Sequence, residues 1–112
     1  INNGKKNVLA NASYWSVDIL NEYLGYIQTS LSDVAFYEST DYATYCMLKN
    51  HILAESLFPR YALLTLYADS FSDKELTEKR TSFKEDCEAL GVTQEAEATS
   101  ESLSALFANW GL

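Results

Sequence analysis

The sequence predicts an all-α domain, a three- to four-helix antiparallel bundle around one long central helix. Three observations carry that prediction. Asp41–Phe71 is a long run rich in large apolar residues, with His51, Glu55 and Arg60 among its few polar ones. Elsewhere apolar residues recur at the 3, 4 and 7 spacing of a helix face instead of alternating as in a half-buried strand. The breaks between these runs carry helix-capping residues.

A chain of 112 residues makes one domain and can bury enough surface to fold without staples. Hydrophobic residues at 47% against 21% charged are an ordinary globular composition and argue against intrinsic disorder. The net charge of -8 disfavours nucleic acid and anionic membrane as partners, since both would repel it. No run of 18 apolar residues occurs, so no transmembrane helix and no membrane insertion is expected. The opening Ile1–Ala10 lacks the apolar core of a signal peptide and begins without Met. The chain is therefore expected to be a fragment of a larger protein or a mature form, and its compartment is not read from it.

Ile1–Lys6 is polar and expected to fray. From Val8 to Tyr37 the pattern is helical, with Leu20, Tyr23, Leu24, Ile27, Leu31, Val34 and Ala35 on one face. Gly25 weakens this helix without ending it. Glu38–Asp41 is the first break, with Ser39 or Thr40 as the expected N-cap. A second helix then spans Asp41–Asp69. It carries two apolar stripes, one through Tyr45, Leu48, Ile52, Leu63 and Leu66, the other through Cys46, Leu53, Leu57, Leu64 and Tyr67. Two stripes mean burial on more than one side. Pro59 cannot donate to the Glu55 carbonyl, so a kink or a break is expected near residues 55–59.

Ser72 followed by Glu75 fits a capping box and opens a third helix, with Leu76, Phe83, Cys87 and Leu90 inward and Gly91 just past its end. Val92–Ala98 reads as a connector. A fourth helix from Thr99 to Asn109 gathers Leu103, Leu106, Phe107 and Trp110 on one side. Cys46 and Cys87 fall on separate helices beside apolar residues and read as buried free thiols.

Little in the chain carries chemistry. His51 and Glu55 share a helix face and form half of a metal site or a base with its orienter, but this is the only histidine. The plainer reading is a hydrogen-bonded histidine at a packing seam. Glu55 lies on the stripe of Leu48 and Ile52, where a charge needs a partner. Arg60 beside Pro59 can pair with it, or can bond carbonyls freed by the proline. His51, Glu55 and Arg60 are thus read as a structural polar cluster. No catalytic residue, metal site or cofactor is expected. Neither a nucleophile elbow nor a glycine-rich phosphate loop occurs. Carboxylate pairs such as Glu85/Asp86 read as solvated faces. The aromatic residues crowded into the first half, from Tyr14 to Tyr45, suit a core, an interface or a sugar platform.

Glu55-Ser56-Leu57 with Arg60-Tyr61 and an apolar run, then Phe83, Asp86, Leu90-Gly91-Val92-Thr93 and a closing Trp110, resemble the C-terminal helical region of large bacterial proteins. Those proteins are similar to glycoside hydrolases of the α-glucuronidase and hexosaminidase type. The resemblance spans Tyr42–Trp110, and it implies an accessory helical domain following a (β/α)8 barrel that holds the catalytic carboxylates. On that reading the chain is non-catalytic and packs on the barrel or mediates dimerisation. Its partners are then the rest of its parent protein or a second subunit, and carbohydrate binds at the parent's site. The alternative is a free-standing protein–protein interaction module.

Overall fold

The computed structural model describes residues 15–92 and 103–112. Every regular element among them is helical: α1 (Val17–Val34), α2 (Tyr37–Thr40), α3 (Tyr42–Thr65), a 3-10 turn (Ala68–Ser70), α4 (Asp73–Leu90) and α5 (Leu103–Asn109). The expected fraying of Ile1–Lys6, the helical segment from Val8 to Tyr14, the connector beyond Val92 and the Thr99 start of the last helix lie outside the described residues.

The first helix starts later and stops earlier than the apolar pattern suggests: Ser16 is its N-cap, its hydroxyl accepting from Ile19 N–H at 3.3 Å, so the expected run from Val8 is not continuous. At its end Ala35 N–H bonds Ser32 O at 3.3 Å, and Glu38 N–H bonds Ala35 O at 3.1 Å. These tightened i→i−3 bonds separate α1 from the single turn of α2. The cap of α3 is Asp41, not Ser39 or Thr40. Those two hydroxyls turn back to donate to Phe36 O, at 3.4 and 3.2 Å. The Asp41 carboxylate instead accepts from Thr44 N–H at 3.2 Å and from the Thr44 hydroxyl at 2.7 Å, and these bonds hold its pKa below the ordinary carboxylate value.

Pro59 lies inside a continuous α3. It is buried, and the Glu55 side chain one turn back is 55% exposed. Pro59 has no N–H to give to the Glu55 carbonyl, and the helix runs on past it without a break. α3 ends at Thr65 rather than Asp69. The Thr65 hydroxyl bonds Tyr61 O at 2.8 Å, and the chain tightens into the 3-10 turn.

The Ser72 capping box forms as its spacing predicts. Ser72 Oγ accepts from Glu75 N–H at 3.2 Å, and Glu75 Oε1 accepts from Ser72 N–H at 3.3 Å. Ser72→Ala is expected to cost about 1 kcal/mol in urea unfolding, with the slope of the transition unchanged. Gly91 caps the far end of α4 at φ 71°, and Val92 N–H closes onto Cys87 O at 2.9 Å.

α3 is the shared spine of two cores. On one side Leu20 of α1 packs on Ala62 and Leu63, with Trp15 and Phe58 at the margin. On the other, Leu57, Tyr61 and Leu64 pack on Phe83 and Cys87 of α4 and on Leu103, Leu106 and Phe107 of α5. Arg60 reaches Asp86 while Arg80 reaches Leu64 O, so rising numbers on α3 meet falling numbers on α4 and the pair is antiparallel. Of the two predicted stripes, Leu63 enters the core of Leu20 and Leu57 and Leu64 that of Phe83, but Tyr67 packs with Leu63 across the stripe boundary and Leu66 is 48% exposed.

Candidate functional site

α1 and α4 both pack on α3 but barely on each other. The gap between them is a cleft of about 450 Å³, open to solvent. Each helix lines it with residues at helical spacing: Asn21, Leu24, Gln28 and Leu31 from α1, Leu53, Ser56, Arg60 and Leu63 from α3, and Lys79, Ser82 and Asp86 from α4.

Arg60 is the centre of its polar side. Its Nη1 donates to Asp86 Oδ2 at 2.7 Å and meets Ser56 Oγ at 3.4 Å, while Nη2 makes one long contact to Ser82 Oγ at 3.4 Å. The guanidinium lies 5.6 Å from the centroid of the Phe83 ring, and the side chain is only 17% exposed. Ser56 is buried and donates its hydroxyl to Leu53 O at 2.6 Å. The partner of Arg60 is therefore Asp86, 26 residues away, and not Glu55. Asp86, expected on a solvated face, is drawn in by that pair.

His51 and Glu55 contact each other at 3.4 Å but are 75% and 55% exposed. They stand on an open surface away from any seam, and Glu55 carries no burial cost that needs a partner. His51, Glu55 and Arg60 therefore divide between an exposed pair and a half-buried one. Among the described residues no three His, Cys, Asp or Glu side chains gather where a metal could sit.

No protein-family model, curated protein or solved structure matches the chain.

The surface holds a second unusual region. From Tyr42 to Glu55 no residue of α3 is buried, although this half of the helix carries Tyr42, Tyr45, Met47, Leu48, Ile52 and Leu53. Tyr42 is 65% and Met47 64% exposed, and Phe36 in the preceding turn is 59% exposed. The central helix is thus buried on several sides only from Ser56 onward. No described helix is long and apolar enough to cross a membrane.

The two thiols differ in the same way. Cys87 is buried, and burial pushes its pKa up to about 11; Cys46 is half-exposed on the uncovered half of α3, so it is not the buried thiol its neighbours suggest. One thiol is expected to react rapidly with a disulfide reagent at pH 8 and the other only after unfolding. The raised pKa of Cys87 favours the folded state below about pH 9, and this contribution fades as pH rises towards 11. The native chain should accordingly lose stability more steeply than Cys87→Ala across that interval.

Proposed function

We propose that this chain is a non-catalytic helical module that packs on a larger protein surface through the Tyr42–Glu55 half of α3, where no residue is fully buried. The parent we favour is a carbohydrate-active enzyme of the glycoside hydrolase kind, with the module docked on the catalytic barrel or joining two subunits. The observation that carries the packing is the run from Tyr42 to Glu55: several large apolar side chains on a regular helix with none of them buried. An aromatic and methionine-bearing face of this kind is what interfaces enrich. The hydrolase parent is supported by the sequence resemblance of Tyr42–Trp110. A free-standing interaction module accounts for the same exposed face with its partner on a separate chain.

Hydrogen exchange of Tyr42–Leu53 tests the reading in two stages. The chain alone is compared with the complete product of its reading frame. Protection that appears in the complete product, together with an upstream (β/α)8 barrel bearing paired carboxylates, supports the accessory domain. A reading frame with no barrel removes the hydrolase parent and leaves the interaction module. Unchanged exchange beside an intact barrel overturns the docking role of α3.

A further inference from the structure

The cleft between α1 and α4 carries its own chemistry. Its volume, about 450 Å³, is within the range of small-ligand sites, and a gap between bundle helices is a usual place for one. The α1 side is a half-buried apolar wall of Leu24 and Leu31, continued across α3 by Leu53. The opposite side holds two cations, Arg60 and Lys79, against one carboxylate, Asp86, so the lining is net positive in a chain of net charge -8. Asp86 is committed to Nη1 of Arg60, which leaves the Nη2 edge with one long contact to Ser82. A guanidinium held by a carboxylate and an aromatic face has little freedom left to lose, and its remaining N–H donors suit the two oxygens of a carboxylate.

We propose that this cleft binds a small amphipathic carboxylate. Its apolar body lies along Leu24, Leu31 and Leu53, and its head group is taken by Arg60, Ser82 and Lys79. Phe36, Tyr42 and Met47 do not line the cleft, and Leu53 is the residue it shares with the face proposed for docking.

The test is a titration of the full isotope-labelled chain with octanoate, followed by amide chemical shifts. Saturable binding is expected, with shifts centred on Leu24, Leu31, Leu53 and Lys79. Octan-1-ol and octylammonium, with the same tail and no anion, should bind about fivefold more weakly or less. Lys79→Glu changes an exposed side chain outside both cores. It should weaken octanoate about fivefold and leave octan-1-ol unchanged. Arg60→Lys keeps the charge, loses the planar fork and should also weaken octanoate. The proposal is overturned by an absence of saturation, by equal affinities for octanoate and octan-1-ol, by an indifferent Lys79→Glu, or by shifts centred on Tyr42 and Met47. The last pattern describes a detergent coating the exposed helix.

Discussion

Phe83→Ala is expected to destabilise the fold by about 3–5 kcal/mol, a large share of what a domain of this size has. Phe83 is fully buried and sits where α3, α4 and α5 meet. Its ring is 6.2 Å from Phe107 and 6.0 Å from Trp110, centroid to centroid, and Arg60 stands over it. Truncation empties the meeting point of three elements. No single neighbour can collapse into the gap without leaving another contact, so the loss should approach the upper part of that range. Urea unfolding at 25 °C checks it. A loss near 1 kcal/mol would mean that α5 closes on α3 without Phe83.

Breaking the Arg60–Asp86 pair should have the next largest effect, and the two sides should be unequal. Asp86→Ala leaves a guanidinium that is only 17% exposed without its anion and is expected to cost about 2–3 kcal/mol. Arg60→Met keeps an apolar stem over Phe83 and leaves Asp86, 32% exposed, able to rehydrate, so about 1 kcal/mol is expected. The double variant should cost less than the sum, because the second change removes a group already without its partner. Strict additivity would show that the pair is only a surface contact, and a larger loss for Arg60→Met would place the greater cost on leaving Asp86 without its cation.

What could be read ahead from the sequence follows the range of each interaction. The Ser72–Glu75 box and the Gly91 cap close within a few residues, and their spacing states them completely. Apolar periodicity likewise located the faces of α1 and α3. It did not reveal that no residue from Tyr42 to Glu55 is fully buried, because a stripe specifies what a helix can bury and says nothing about what lies opposite. The same limit hid the Arg60–Asp86 pair. Arg60 was legible as a charge needing a partner, but Glu55 was the near candidate along the chain. The true partner lies on an antiparallel helix reached through two turns. Ser39 and Thr40 had suitable cap chemistry, and their hydroxyls were taken up by the Phe36 carbonyl. The cleft was invisible for a third reason: it exists because two helices share a third without meeting, a property of the assembled bundle.

Phe71 lies between the 3-10 turn and the Ser72 capping box. It packs against both cores, and it also lines the cleft. Leu20 and Phe83 belong to different cores with α3 between them, and Phe71 is a rivet through which a disturbance in one can be felt in the other. A double-mutant cycle between Leu20→Ala and Phe83→Ala measures that communication, and the coupling should shrink towards zero once Phe71 is alanine. With the rivet gone, the bundle would melt as two lobes hung on one spine.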